Sequence, residues 1–304
     1  MGHARWAIVS TIGAAIMWGL SPLYYKMLAH VPPIEMLAHR TFWSAVIFVL
    51  VIALQGRSGE LARVVVPLRQ GFLVFTAALL VSFNWFVFIW AIAAGRTTDA
   101  SMGYFLLPLV SVLLGRLVLN ERQSLLQWVA VALATIAVLT LAVVLQVPPW
   151  IALSLAVSFG CYGLIKKQLL IGPVISVTAE VLMLCPVALI VLWHFHSIGE
   201  GSFGNDAIVS LLLVFSGVLT ATPLILYSRG ARYLPLATIG ILQFINPSLQ
   251  FLCAVLILAE PLYPVHFVSF PLIWVALAMY TLALWRQERA DTKAASASST
   301  FSAT

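Results

Sequence analysis

Charge is what this chain has least of: Asp, Glu, Lys and Arg together make up 9% of its 304 residues, whereas apolar residues make up 62%. A soluble domain carries roughly a quarter charged residues, so this chain cannot clothe a water-exposed globule. Its apolar surplus has to face lipid, whose hydrocarbon core is crossed by about 20 apolar helical residues. Cysteine is also scarce. Cys161, Cys185 and Cys253 fall inside apolar runs, and their odd number and wide spacing give neither a disulfide framework nor a metal pattern, so they read as buried free thiols. No Walker-type phosphate loop, zinc motif, nucleophile elbow or dinucleotide fingerprint is present, and no cofactor is implied. Short loops leave no room for the ligand or effector domain of a signalling receptor.

What is present is a series of apolar runs near residues 5–27, 34–54, 70–94, 99–119, 123–145, 147–167, 174–196, 207–229, 236–258 and 264–286. They predict an all-α polytopic membrane protein of ten transmembrane helices. Pro32, Pro33, Pro148, Pro149, Pro173, Pro235 and Pro261 mark connections, because proline removes a backbone donor and disfavours helix at the residue before it. The formal charge of +6 sits in short loops rather than on a basic patch, so it reports membrane orientation and not nucleic-acid binding. Arg5 precedes the first run, and every even-numbered exit is basic: Arg57, Arg63 and Arg69, then Arg122, Lys166 and Lys167, Arg229 and Arg232, and finally Arg286, Arg289 and Lys293. Both termini are therefore expected in the cytoplasm. Residues 5–27 are too long for a signal peptide and end in no clear cleavage site, and residues 287–304, rich in Ala, Ser and Thr, are expected to be a disordered cytoplasmic tail.

The chain repeats itself. GYFLLPLVSVLLGRLVLNE (103–121) and LQFINPSLQFLCAVLILAE (242–260) each place Pro and Glu thirteen residues apart, and one offset of 139 aligns Pro108 with Pro247 and Glu121 with Glu260. Upstream, Trp18-Gly19 precedes Glu35 much as Tyr162-Gly163 precedes Glu180. Each half, 5–145 and 147–286, holds five runs, an odd number, so the second half enters the membrane from the opposite side. Such inverted repeats are how many secondary transporters build one site between two halves that rock against each other. Pro108 and Pro247 are both expected to loosen their helices near the membrane middle.

The Trp-Gly of the first run, the paired Pro-to-Glu helices and the ten-helix layout resemble the drug/metabolite transporter superfamily with its two EamA-type repeats. EMLAHR (35–40), NWFVFIWA (84–91), DASMGYFLLPLV (99–110) and PLIWVALA (271–278) resemble more narrowly its RarD subgroup, the chloramphenicol-sensitive proteins. The similarity covers about residues 5–286. Asn120 and Ala259 depart from it, standing where the family pattern usually has Gly before each Glu. The resemblance implies a bacterial inner-membrane exporter of small metabolites or drugs, linked to protons or another gradient and without an ATPase, working as a monomer or homodimer.

Ionisable groups inside a bilayer are costly and usually face a cavity or a partner. Glu35, His39 and Arg40 lie in the first two turns of the second run, and read either as a charged gate or proton relay or as an interfacial cluster anchoring the helix. Glu180 has no charged neighbour in its own run, which makes it a candidate proton carrier or a hydrogen-bonded structural acid. Glu121 and Glu260 each end an apolar run and read as caps or loop contacts. Trp18, Tyr24, Asn84, Trp85, Trp90, Tyr104, Tyr162, Tyr227, Gln243 and Asn246 are candidates to line a small-molecule cavity. Asn84, Gln243 and Asn246 are the strongest, since an amide facing lipid leaves donors unpaired. The competing function is an integral membrane transferase with an interfacial active site, because some such enzymes lack recognisable signatures.

Overall fold

The computed structural model describes residues 2–65, 68–120, 123–146, 149–234 and 236–301. Its helices are α1 (Gly2–Met27), α2 (Pro33–Leu54), α3 (Ser58–Val65), α4 (Leu68–Ala93), α5 (Thr97–Leu119), α6 (Leu125–Leu145), α7 (Trp150–Gln168), α8 (Pro173–Ser197), α9 (Ala207–Tyr233), α10 (Leu236–Gln243), α11 (Ile245–Leu252), a single π-helical turn Cys253–Ile257, and α12 (His266–Phe301). Beyond one isolated bridge between Phe203 and Asp206, no extended pairing occurs among the described residues. Glu121, Arg122, Pro148 and Pro235 lie outside them.

Eight of these helices are long and apolar enough to cross a bilayer: α1, α2, α4, α5, α6, α8, α9 and α12. The protein is thus an all-α, multi-pass membrane protein. The sixth predicted run is α7, whose 19 residues include Ser154, Ser158, Tyr162 and Lys166. The ninth is not one helix. Its backbone breaks at Phe244, restarts as α11 and ends in the π-helical turn. Pro247 falls in the first turn of α11, where a missing N–H leaves no hydrogen bond unmade. Pro108, by contrast, sits inside an unbroken α5, so the expected symmetric loosening is found only in the second half. Two further differences concern one connection and the C-terminal end. The short α3 was not expected, and α12 continues to Phe301 where a disordered tail was expected, its Ala-rich end being compatible with helix.

Helix boundaries follow local chemistry. Pro33 and Pro173 occupy the first helical position of α2 and α8, where a fixed φ suits entry. Ser124 and Gln127 form a capping box at α6, the Ser124 hydroxyl accepting from the Gln127 N–H while the Gln127 side chain accepts from the Ser124 N–H at 2.7 Å. Asn120 and Ala259, the two departures from the Gly pattern, both hold left-handed backbone, with φ of 53° and 52°.

Packing is reciprocal between the two halves. The most extensive contacts join α5 to α7, α1 to α9, α6 to α12 and α2 to α8, followed by α2 to α9, α4 to α7 and α1 to α11. Exchanging each helix for its counterpart in the other half turns α5 on α7 into α11 on α1 and α1 on α9 into α7 on α4, leaves α6 on α12 and α2 on α8 as they are, and turns α2 on α9 into the weaker contact of α8 on α4. Four of the five pairs of helix starts agree, with α2 and α8 beginning 140 positions apart, α4 and α9 139, α5 and α10 139, and α6 and α12 141, while α1 begins further upstream of α7.

Glycines set the closest approaches. A Cβ on Gly19 would lie 2.6 Å from Leu249 Cβ, and one on Gly160 would lie 3.0 Å from Leu114 and 3.1 Å from Val110. Leu249 and Val110 stand 139 positions apart, so the packing equivalent of Gly19 is Gly160, not Gly163, which faces open space. Gly217 approaches the Trp43 backbone so closely that a Cβ would sit 2.6 Å from its carbonyl carbon.

Candidate functional site

The polar side chains that a lipid-facing helix cannot carry gather between the helices in two clusters. The first lies toward the end of the bundle that carries the 198–206 connection. There Arg40 of α2, 6% exposed, donates from Nε to Thr220 Oγ1 at 3.0 Å and from Nη1 to the Tyr25 hydroxyl at 2.7 Å. Its guanidinium carbon lies 4.0 Å from the centre of the Trp85 ring. Beside it, Asn84 is fully buried and fully used. Its amide donates to the Leu155 carbonyl at 2.9 Å and to Ser158 Oγ at 3.0 Å, while its oxygen accepts from the Tyr104 hydroxyl at 2.9 Å. Tyr24 donates to the Leu212 carbonyl at 2.6 Å.

The second cluster lies toward the opposite end. Glu180 of α8 is 1% exposed and accepts from Lys166 Nζ at 2.6 Å, Ser176 Oγ at 2.7 Å and the Tyr162 hydroxyl at 3.1 Å. Lys166 also donates to Ser176 and stands over the Tyr162 ring, 5.2 Å from its centre. The expected lone carboxylate is therefore an ion pair. Its partner comes from α7, across a hairpin, and so escaped a reading confined to one run.

An aromatic ladder joins the clusters. Tyr25 meets Phe88 at 5.9 Å between ring centres, Phe88 meets Tyr104 at 5.6 Å, Tyr104 meets Phe159 at 6.3 Å and Phe159 meets Tyr162 at 5.3 Å. The step from Tyr104 to Phe159 passes from the first half of the chain to the second. Of the side chains singled out in the sequence, Tyr24, Asn84, Trp85, Tyr104 and Arg40 thus come together, and Tyr162 joins Glu180.

Others lie apart. Trp18 packs on Tyr227 with ring centres 5.9 Å apart, and Asn246 accepts from Gln250 at 2.8 Å, near the break in the ninth run where Gln243 ends α10. Trp90 packs on Trp150 at 5.2 Å. Glu35, 1% exposed, fixes the 198–206 connection by accepting from Ser202 N at 2.7 Å and Ser202 Oγ at 2.9 Å, with His39 Nε2 at 3.8 Å. His39 and Trp43 line a groove of about 330 Å³ against Trp193 and Phe203, and neither His39 Nδ1 nor Trp43 Nε1 has a partner. Glu260 behaves as the expected cap, accepting from the N–H groups of Thr97 and Thr98 at 2.7 and 2.8 Å at the start of α5.

Tyr25, Thr220, Ser158, Ser176 and Lys166 were not among the sequence candidates. Lys166 stands fourteen residues before Glu180, the span of a helix end, a short turn and two helical turns, and that spacing was the available signal.

Residues 5–143 match the EamA-like transporter family. An uncharacterized transporter of Vibrio cholerae is 40% identical over 92% of this chain and 93% of its own, and one of Bacillus subtilis is 40% identical over 96% and 99%. Protein RarD of Escherichia coli is 35% identical over 94% of this chain and 98% of its own. The chain belongs to the EamA-like transporter family. Within it, this is a RarD-type member of the drug/metabolite transporter superfamily and hence a membrane transporter. A crystal structure 17% identical in sequence superposes on this transporter with a TM-score of 0.61, over 91% of this chain and 97% of that one, which shows the fold alone.

Proposed function

We propose that this transporter moves a small solute across the bacterial inner membrane by alternating access, along the aromatic ladder between its two polar clusters. The single observation that carries the reading is that ladder: its walls are flat aromatic rings, a charged group stands near each end, the Tyr104 hydroxyl and Asn84 offer a polar step midway, and it changes halves there. The reciprocal packing and the 139 to 141 spacing of four pairs of helix starts support ten crossings in two inverted five-helix repeats, 5–145 and 147–286. With the basic exits inside, the Lys166–Glu180 cluster lies at the cytoplasmic end and Glu35 with Ser202 at the outer end.

On this reading the two carboxylates are latches. Proton uptake at Glu180 releases Lys166 and loosens the inner end; proton uptake at Glu35 releases Ser202 and loosens the outer one. Solute movement is then coupled to a proton gradient because each state of the bundle exposes one carboxylate to one compartment. Glu180→Gln keeps the shape and one acceptor but abolishes titration. In proteoliposomes with an imposed pH gradient it is expected to bind solute but to lose uphill transport, with Glu35→Gln a milder version. If both variants still accumulate solute uphill like the parent, coupling does not run through these two carboxylates and both acids are structural.

A further inference from the structure

Arg40 is a permanent cation in a place that offers it no anion. Its guanidinium is charged at any physiological pH, yet its contacts are a threonine hydroxyl, a tyrosine hydroxyl and the face of Trp85. Among the described residues no carboxylate pairs with it, and its Nη2 donates to none of them. The acids of the bundle are already engaged: Glu180 with Lys166, Asp99 with Arg96, Glu260 on the start of α5 and Glu35 on Ser202. Glu35 is five residues away on the same helix, which sets the two side chains roughly 140° apart around its axis. A buried charge with no counter-ion is costly even against an aromatic face, so it is kept where something binds to it.

The repeat sharpens the point. With Pro33 aligned on Pro173, the counterpart of Arg40 is Glu180, both at the eighth position of their helices. The partner of Glu180 is Lys166, and the residue 141 positions before Lys166 is Tyr25, the partner of Arg40. The Lys166 end closes on its own ion pair. At the other end a tyrosine stands where the balancing charge would be.

We propose that the missing anion is the solute: Arg40 binds the carboxylate of a small organic monoanion whose aromatic or apolar body lies against Trp85, Tyr25 and Tyr104. The proposal rests on the transport reading above and names its substrate class. A guanidinium fork matches a carboxylate with two parallel hydrogen bonds. An amine would meet a fixed positive charge, and an amino acid would bring an ammonium for which no unengaged acid is at hand.

The test uses full-length protein in detergent and in liposomes, with a panel of aromatic monocarboxylates beside the matched amide, amine and amino acid of each. Thermal stabilisation and flux are read for the parent, Arg40→Lys and Arg40→Gln. Carboxylates are expected to stabilise the parent and to move, while Arg40→Gln weakens their binding by about 30-fold or more. Arg40→Lys is expected to keep a reduced part of it. Without ligand, Arg40→Gln is expected to melt no lower than the parent, because it removes an unbalanced charge. Equal stabilisation by amines or amides, or carboxylate binding that survives Arg40→Gln, would overturn the assignment, as would collapse of Arg40→Gln together with undiminished carboxylate flux by Arg40→Lys. A parent that neither binds nor moves any member of any class would sink the transport site itself, a different failure.

Discussion

Ala259 holds a φ of 52°, a left-handed backbone that strains any residue with a Cβ. Replacing it by Gly is expected to stabilise the protein by about 1 kcal/mol, visible as a higher melting temperature in detergent. Asn120→Gly, at φ 53°, is expected to gain less, because Asn tolerates this region better than Ala. These positions were legible as departures from a Gly pattern, since that pattern itself encodes the left-handed turn. Arg40 and Asn84 were legible too, because a charge or an amide inside an apolar run has to find partners. What those partners are was not. Thr220 lies 180 positions from Arg40, and only the pairing of α2 with α9 brings them together.

At the scale of the helix, close approach decides what is tolerated. Gly217→Ala would press a methyl group into the Trp43 backbone, and we expect a loss of about 1–3 kcal/mol measured by thermal unfolding, with Gly163→Ala near neutral as the control. Glu260→Ala removes the acceptor for the N–H groups of Thr97 and Thr98, and is expected to lower stability by about 2 kcal/mol, while Glu260→Gln keeps part of it. The runs that became α1, α2 and α4 through α6 were readable because lipid imposes length and hydropathy together. The break in the ninth was legible in Pro247, which cannot join the ladder of backbone bonds, and not in its hydropathy, which runs on unbroken; what Pro247 could not show is that the helix restarts at Ile245. The alignment of Glu35 with Glu180 failed for another reason. Chemical likeness matched two acids 145 positions apart, whereas helix starts and packing match Glu180 to Arg40.

For the whole molecule, the basic exits require the 55–58 connection and the 198–206 connection to face opposite sides. With the three native cysteines replaced, Ser58→Cys and Asn205→Cys, both exposed, are expected to react with a membrane-impermeant thiol reagent from opposite sides. Reaction of both from one side would refute the orientation, and with it the inner and outer assignment of the two latches.

The pairing of α6 with α12 reaches beyond the finished fold to its making. Ala130, Ala134, Ala137 and Leu141 of α6 are buried with Phe270, Ile273, Ala276 and Leu277 of α12, and Ser269 donates to the Ala137 carbonyl at 3.3 Å. During synthesis α6 is complete long before α12 has left the ribosome, so this small-residue face spends the translation of about half the chain without its partner. Small residues give lipid little to grip and other helices much. The half-made chain is accordingly expected to be the species that the cell's membrane proteases and insertases encounter. A chain stopped after residue 265 should be degraded faster than the full protein in a pulse-chase measurement, and supplying α12 as a separate peptide should slow that loss.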